Sequence, residues 1–360
     1  MGATEPDGIV GTAADAATLR LAPLLTLDRV EAFLDEHGLG AGPLSARRIG
    51  VRGGSNFTFL LERGANRYAL RRPPRPPLPP SAHDVVREAQ LQLALARQGI
   101  RVPRILAVCD DPEPIGAPFY VMEYLTGEVI DHELPSRLAA DAAARRRLGF
   151  DLVDALVEVH AADVGSADLA VFARPGSYAE RQVRRFAELW PLNATRDLPA
   201  LELAARLAAD VPEPLPDTVV HGDYRLGNVM VGAESARIVA VLDWELGAIG
   251  DPRADVGYLV ATYTEPGGSE AALGTSPVTA TDGFPTRREL VARYRERSGR
   301  SLERLAWFEA LALWKAAVFC EAIYGRYLRG ELGDAPQAAR FGPAVPAMLE
   351  TAARALDRDE

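Results

Sequence analysis

Apolar and polar residues alternate with a period of two over much of the first third of the chain. Three such runs lie at residues 48–51, 56–62 and 67–71, and two more follow at residues 104–109 and 118–124. A period of two places successive side chains on opposite faces of a strand. The pattern therefore predicts a small antiparallel sheet in this part of the chain.

Two helices are expected beside these strands. Thr26 is a plausible N-cap for a helix over residues 27–37, and Ser81 for a second helix ending near Gln98. A proline-rich connector over residues 73–80 separates the third strand from the second helix and is expected to be extended.

The spacing becomes helical beyond residue 135. Leu148, Leu152, Leu156 and Val159 share one stripe, and His160, which ends it, is interpreted as a packed histidine rather than a catalyst. Two closing helices are expected at residues 286–298 and 301–328, where a dense set of aromatic residues is more typical of a core than of a ligand site. The second part of the chain is therefore predicted to be mostly helical.

A chain of 360 residues exceeds one typical hydrophobic core, so two lobes are expected. Residues 1–25 show little periodicity and are predicted to form a mobile tail. Residues 26–125 would form an N-terminal lobe and residues 126–355 a C-terminal lobe.

The net charge of −10 argues against a nucleic-acid partner, because binding to phosphate backbones needs clustered cations. Only two cysteines are present, which suits a reducing cytoplasm. The first residues lack the basic and apolar regions of an export signal. No uncharged apolar run approaches the roughly 20 residues that a membrane span needs, so no membrane partner is expected.

The most informative stretch is residues 218–257. Its strand runs are separated by polar residues, and oxygen-bearing side chains come at strand ends: Asp223, Asn228 and Asp243. An amide oxygen and a carboxylate are hard ligands that suit Mg²⁺ when phosphates complete its coordination. The other carboxylate, Asp223, could then receive a hydroxyl proton.

The octapeptide His221-Gly222-Asp223-Tyr224-Arg225-Leu226-Gly227-Asn228 and the later Asp243-Trp244-Glu245 resemble a protein kinase's catalytic loop and its metal-binding aspartate motif. Together with Gly250-Asp251-Pro252-Arg253-Ala254-Asp255 they look like the aminoglycoside phosphotransferase and choline kinase family. The strand Tyr68-Ala69-Leu70-Arg71-Arg72-Pro73-Pro74 is similar to the phosphotransferase-like domains associated with acyl-CoA dehydrogenases. The resemblance implies an α+β, two-lobed protein-kinase-like fold, with a small antiparallel-sheet lobe and a mostly helical large lobe.

The resemblance also implies an activity, which is transfer of the γ-phosphoryl group of ATP to a hydroxyl of a small molecule. Asp223 would orient and deprotonate the acceptor, Arg225 would balance charge on the moving phosphate, and Asn228 with Asp243 would hold Mg²⁺. Glu245 is a secondary candidate for the metal site, on the expectation that it follows Asp243 along a strand, but it could equally hold a backbone turn. Asp255 could brace the catalytic loop or cap a helix.

Further nucleotide contacts are expected in the first lobe. Gly53, Gly54, Ser55 and Asn56 form a turn whose backbone could approach phosphate, although an ordinary hairpin turn would look the same. The only lysine of the chain is Lys315, so the usual lysine on the third strand is missing. Alternation and the resemblance together indicate Arg71 in its place, paired with Glu88. By resemblance, Glu123 and Leu125 belong to the hinge whose backbone pairs with adenine.

One alternative class stays open. The missing lysine and the nonstandard glycine turn would also suit a nucleotide-binding pseudokinase that acts as a regulatory module. The oligomeric state and the acceptor are not specified by the sequence.

Overall fold

The computed structural model describes residues 8–50, 56–75, 83–267, 276–331 and 336–358. The chain divides into two compact units, Met1–Thr126 and Gly127–Glu360. In the first unit the elements are β1 (Ile9–Val10), α1 (Ala13–Ala17), β2 (Leu25–Thr26), α2 (Leu27–Glu36), β3 (Leu44–Ile49), β4 (Phe57–Arg63), β5 (Asn66–Arg72), α3 (Val85–Arg97), β6 (Ile105–Cys109) and β7 (Phe119–Glu123).

The first unit is built on a five-stranded antiparallel sheet with the order β3-β4-β5-β7-β6. The sheet contributes side chains to two different cores. Leu70 packs with Phe33 and Leu34 of α2, whereas the other core combines Val85 and Ala89 of α3 with sheet residues. The predicted small sheet with two flanking helices is confirmed.

Residues 8–25 were expected to belong to a mobile tail, and for them that expectation is wrong. β1 pairs in parallel with β2, and Ile9 and Leu25 are buried. Thr12 and Asp15 form a capping box for α1. A two-residue strand and a five-residue helix are too short to show a period, which is why the pattern missed them.

The start of α3 also differs from the prediction. Asp84 is its N-cap, and the Asp84 carboxylate accepts a hydrogen bond from the N–H of Arg87. Ser81, the expected cap, and the later part of the proline-rich connector lie outside the described residues.

The second unit is mostly helical. Its elements are β8 (Gly127–Glu128), α4 (Ser136–Ala139), α5 (Ala142–His160), α6 (Ala167–Ala170), α7 (Tyr178–Asn193), α8 (Ala200–Ala209), β9 (Thr218–Val220), β10 (Val229–Gly232), β11 (Ile238–Val241), β12 (Ala248–Gly250), α9 (Arg253–Thr262), α10 (Arg287–Ser298), α11 (Leu305–Leu328) and α12 (Phe341–Asp357). Two small sheets, β11-β10-β8 and β12-β9, interrupt the helices.

One large core joins α7, α8, α11 and α12. Trp307 and Trp314 of α11 are fully buried, and their indole N–H groups donate to the carbonyls of Leu207 and Ala200. The interpretation of these aromatic residues as core is therefore correct, although Phe319 on the same helix is 43% exposed.

The last helix, α12, was not predicted. Pro346 lies inside it and cannot donate a helical hydrogen bond, so the local sequence argues against a helix there. Burial of Val345, Met348 and Leu349 in the large core accounts for its formation. Within the described ranges, no helix is both long and apolar enough to cross a membrane.

Candidate active site

The β10–β11 hairpin places two of the predicted site residues at one end of a sheet. Val229 pairs with Val241, and the N–H of Leu242 donates to the carbonyl of Asn228 at 2.8 Å. Asp243 follows Leu242 directly, so the hairpin register itself brings Asn228 and Asp243 together.

Asn228 also holds the loop that precedes it. Its Nδ2 donates to the carbonyl oxygen of Asp223 at 2.8 Å and to Oδ2 of the same residue at 2.7 Å. These two bonds orient the amide, so Oδ1 of Asn228 is the atom left for a metal ion. The structure thus brings together Asp223, Asn228 and Asp243.

The Asp223 carboxylate has two different oxygens. Oδ2 accepts from Asn228, whereas Oδ1 is buried and accepts no hydrogen bond among the described residues. The Tyr258 hydroxyl interacts with this carboxylate: burial, and then the charge of Asp223, raise the pKa of Tyr258 well above its ordinary value. Tyr258 lies three residues after Asp255, on the same face of α9, and the sequence analysis missed it.

Arg225 lies beside the same carboxylate. Its Nε is 3.7 Å from Oδ1 of Asp223, and its Nη1 donates to Oδ1 of Asp131 at 3.0 Å. A Cβ at Gly227 would overlap the guanidinium and lie 2.9 Å from Oδ1 of Asp131, so a side chain there would displace this pair. Burial opposes the charge on Arg225, but Asp223, Tyr258 and Asp131 raise its pKa above the ordinary value.

Asp255 of α9 braces the start of the loop of residues 221–228. Its side chain is fully buried and accepts from the N–H groups of His221 and Gly222 at 2.7 and 2.8 Å. Burial alone would raise the pKa of Asp255, but the hydrogen bond and charge of His160, the charge of His221 and the N–H of Gly222 together lower it. Of the two roles left open for Asp255, the structure shows the brace.

His221 links the loop of residues 221–228 to the β10–β11 hairpin. The N–H of Asp223 donates to Nδ1 of His221 at 3.2 Å, so Nδ1 is the acceptor nitrogen, and Nε2 is the one that donates to the carbonyl of Leu242 at 2.8 Å. Gly222 has a φ of 86°, and a Cβ there would lie 3.0 Å from the carbonyl oxygen of Leu246. Glycine is therefore required at this turn.

His160 extends the network to α10. Its Nε2 lies 3.1 Å from Oδ2 of Asp255 and its Nδ1 2.6 Å from the hydroxyl of Tyr294. His160 is packed, as interpreted, but it contacts the brace of the catalytic loop. Tyr294 carried no signal in the sequence.

The strand argument for Glu245 is wrong. β11 ends at Val241, and Asp243 adopts a left-handed conformation with φ of 63° before a short 3₁₀ turn that contains Glu245. Alternation along a strand therefore does not apply to residues 243–245. The indole of Trp244 is buried 4.7 Å from the imidazole of His221.

The oxygen atoms of Asn228 and Asp243 are the candidate ligands for Mg²⁺. No group of three His, Cys, Asp or Glu side chains in the described part of the chain could enclose a metal ion. An amide oxygen and one carboxylate, Asn228 and Asp243, are instead the sparse oxygen set to which Mg²⁺ binds when phosphates supply further ligands.

The first unit contains the predicted arginine–glutamate pair. Nε of Arg71 lies 3.1 Å from Oε2 of Glu88, which is 1% exposed. Asn56 joins this pair, because its Nδ2 donates to Glu88 Oε2 at 3.5 Å while its Oδ1 lies 3.1 Å from Nδ1 of His83. The structure therefore places Asn56 beside Glu88.

The remaining nucleotide-site predictions stay predictions. Gly53, Gly54 and Ser55 lie outside the described residues. Glu123 ends β7, its N–H donates to the carbonyl of Arg104 at 2.9 Å, and its carboxylate accepts from the N–H of Arg104 at 2.9 Å. Leu125 follows outside regular structure.

Comparison with known proteins identifies the relatives of this chain. The model of the phosphotransferase enzyme family matches residues 46–308. Acyl-CoA dehydrogenase family member 11 of Gallus gallus is 35% identical over 318 residues, which cover 86% of this chain but 40% of that protein. Acyl-CoA dehydrogenase family member 10 of Mus musculus is 33% identical, and the match covers 83% of this chain and 28% of the mouse protein. The chain therefore spans less than half of these relatives.

Solved structures show the same fold. A crystal structure from Ralstonia eutropha, assigned to the aminoglycoside phosphotransferases, has a TM-score of 0.77, 28% identity, and coverage of 92% of this chain and 98% of that one. A complex of aminoglycoside phosphotransferase APH(4)-Ia with ADP and hygromycin B has a TM-score of 0.57 at 15% identity, with 89% and 98% coverage. The predicted two-lobed kinase-like fold is confirmed.

Proposed function

Because the chain belongs to the phosphotransferase enzyme family, we propose that it moves the γ-phosphoryl group of ATP to a hydroxyl of a small molecule with the help of Mg²⁺. The observation that carries this proposal is the buried Oδ1 of Asp223, which accepts no hydrogen bond among the described residues. Nε of Arg225 faces this oxygen at 3.7 Å, beyond hydrogen-bond distance, so the oxygen can still accept a hydrogen bond from a ligand. The hydroxyl of an acceptor is such a donor.

The proposed reaction uses the residues of the loop as follows. Asp223 Oδ1 accepts the hydroxyl hydrogen and orients the oxygen toward the γ-phosphorus. A new oxygen–phosphorus bond forms, the bond from the γ-phosphorus to the β,γ-bridging oxygen breaks, and ADP leaves. The hydroxyl proton passes to Asp223, and from there to solvent or product phosphate. Such catalysis consists mainly of positioning and electrostatic stabilisation.

Charge on the phosphates is balanced by two arginines in this proposal. Arg225 is fixed by Asp131 and lies beside Asp223, where it would stabilise the transferring group. Arg71, held by Glu88, would contact the α and β phosphates in place of the missing lysine. Asn228 and Asp243 would hold Mg²⁺, which neutralises phosphate charge when bound.

The acceptor is proposed only as a class. Two structural neighbours are complexes with hygromycin B or spectinomycin, both small molecules. For this chain we propose instead a hydroxylated metabolite, on the basis of its likeness to acyl-CoA dehydrogenase family members. We place the reaction in the cytoplasm, with which the free, buried Cys109 and Cys320 are compatible.

The pseudokinase alternative rests on the missing lysine and on the nonstandard glycine turn, whose residues 53–55 lie outside the described residues. The Arg71–Glu88 pair weakens this alternative, since a guanidinium is available where the lysine is absent. The presence of both Asp223 and the Asn228–Asp243 ligand set also favours an enzyme.

The test measures binding and turnover separately. Calorimetric titration with ATP should show tighter binding with Mg²⁺ than with EDTA, and Asp243→Asn should remove that gain while leaving metal-free binding intact. A panel of hydroxylated metabolites and aminoglycosides is then assayed for ADP release, with product phosphorylation checked by mass spectrometry. If Mg²⁺ does not change the affinity for ATP and the panel gives no phosphorylated product, the pseudokinase alternative is favoured.

A further inference from the structure

A carboxylate outside the loop of residues 221–228 lies closer to Arg225 than the Asp223 carboxylate does. Oδ1 of Asp131 accepts a hydrogen bond from Nη1 of Arg225 at 3.0 Å, whereas Nε of Arg225 lies 3.7 Å from Oδ1 of Asp223. All three side chains are partly buried. One guanidinium is thus shared between two carboxylates, and it donates a hydrogen bond to the one that contacts no reactant in the proposed reaction.

The position of Asp131 is fixed by the short strand β8, which belongs to the same unit as the loop. Glu128 of β8 pairs with Val231 of β10. A Cβ at Gly127 would lie 2.6 Å from the carbonyl oxygen of Val231, so glycine permits this close pairing. Because β10 follows the loop of residues 221–228 directly, the pairing brings Asp131, three residues after Glu128, to the side of that loop.

The distance between Arg225 and Asp223 keeps the reactive oxygen available. A charge-assisted hydrogen bond between a guanidinium and a carboxylate is usually about 2.8 Å long, so a movement of about 1 Å would close this pair. In a closed pair, Oδ1 of Asp223 would accept from Arg225, and an acceptor hydroxyl would have to compete for the same oxygen. The hydrogen bond from Arg225 to Asp131 opposes that movement.

We infer that Asp131 is a positioning residue, which holds Arg225 away from Asp223 so that Oδ1 of Asp223 can accept the hydroxyl of the acceptor. This inference rests on the proposed function, because it concerns the carboxylate that would receive the hydroxyl proton. Without the Asp131 carboxylate, the guanidinium is no longer shared, and its attraction to Asp223 is unopposed by a second acid. Attraction between charges in a partly buried place is stronger than in water.

The first test needs no acceptor. Crystal structures of the whole chain are determined for wild type, Asp131→Ala and the isosteric Asp131→Asn. In both variants a guanidinium nitrogen of Arg225 should lie within about 3.0 Å of Oδ1 of Asp223.

Glu128→Ala is the matched control for this measurement. It removes a carboxylate from the same segment, where Glu128 forms a partly exposed ion pair with Arg137, and it should leave the separation of Arg225 and Asp223 as in wild type. An unchanged separation in the two variants of Asp131, or the same closure in Glu128→Ala, would overturn the inference.

Kinetics with a verified acceptor gives the second test. Asp131→Ala should lower kcat/KM for the acceptor at least tenfold and leave KM for ATP within twofold of wild type, and Asp131→Glu should restore most of the loss. In an Arg225→Met background, Asp131→Ala should have less than a twofold further effect, because no guanidinium remains to be held. Equal effects in the two backgrounds would show that Asp131 acts independently of Arg225 and would overturn the inference.

The two proposals fail separately. If no acceptor is phosphorylated while the pair of Arg225 and Asp223 closes only in the variants of Asp131, phosphotransfer fails and the positioning of Arg225 by Asp131 stands. If wild type and Asp131→Ala phosphorylate an acceptor with equal kcat/KM, the positioning role fails and phosphotransfer stands.

Discussion

The catalytic loop of the second unit and the Arg71–Glu88 pair of the first unit are held by different means. Asp255 accepts from two backbone N–H groups of the loop and from His160, and His221 joins the loop to Leu242. The Arg71 side chain forms an ion pair with Glu88 at 3.1 Å and a longer contact with Thr58.

This difference teaches how each region tolerates change. A loop whose backbone is bound by a buried carboxylate loses several hydrogen bonds when that carboxylate is altered. An ion pair between a strand and a helix depends on one charge at each end, so another cation can replace the arginine. We therefore expect that substitutions in the loop are poorly tolerated. At residue 71 we expect that any positively charged side chain is tolerated.

The largest effect is expected for Asp223→Asn. The amide cannot accept the hydroxyl proton, so kcat should fall by about a thousandfold or more, as for removal of a general base. ATP affinity should stay near wild type, because in this proposal Asp223 contacts the acceptor hydroxyl and not the nucleotide. Turnover is measured as ADP release with a verified acceptor. A variant that retains most of its kcat would exclude Asp223 as the base.

Asp255→Asn should have the next largest effect, on stability as well as rate. The substitution places an NH₂ group opposite the N–H donors of His221 and Gly222 and removes the negative charge that stabilises them. This should cost about 3 kcal/mol of unfolding free energy. Denaturant unfolding measures it. Asp154→Asn is the matched control, because Asp154 forms a partly exposed pair with Arg293 at 2.8 Å, and its loss should cost about 1 kcal/mol or less. Equal losses for the two variants would contradict the brace.

A smaller effect is expected at Arg71. Arg71→Ala leaves the buried Glu88 without this cation and should raise KM for ATP about tenfold, on the order of 1.4 kcal/mol. Arg71→Lys keeps a cation and should lie within a fewfold of wild type. If lysine proves as harmful as alanine, then the guanidinium geometry matters and the region resembles the loop more than we infer.

The smallest effect concerns an exposed pair at the start of α10. The side chain of Arg146 and the N–H of Thr286 lower the pKa of Glu289 to about 2, from an ordinary value of 4.5. A pKa that is lower in the folded state stabilises the protein above pH 4.5, and this contribution disappears as the pH falls from 4.5 toward 2. Unfolding curves of Glu289→Gln should therefore approach wild type at the acid end of that range. A difference that is constant with pH would show that the carboxylate contributes without its charge.

Much of the fold and part of the site could be predicted because the sequence patterns that encode them are local. The strands β9, β10 and β11 lie within residues 218–241, and a hairpin register places Asn228 beside Asp243 without help from distant residues. Prediction failed where elements are short or where packing overrides local preference. β1 and α1 are too short to show a period, and α12 forms despite Pro346.

By itself the sequence determined which side chains are candidates for the proposed chemistry. They are Asp223 and Asn228 in one loop, Asp243 at the end of a hairpin, and Arg71 where a lysine is usual. Only the tertiary structure decided what holds them. Asp255 reaches His221 across 34 residues, His160 reaches Asp255 across 95, and Tyr294 reaches His160 across 134. Such contacts follow from packing of whole helices, because a hydrogen bond depends on distance in space and no local period encodes that distance.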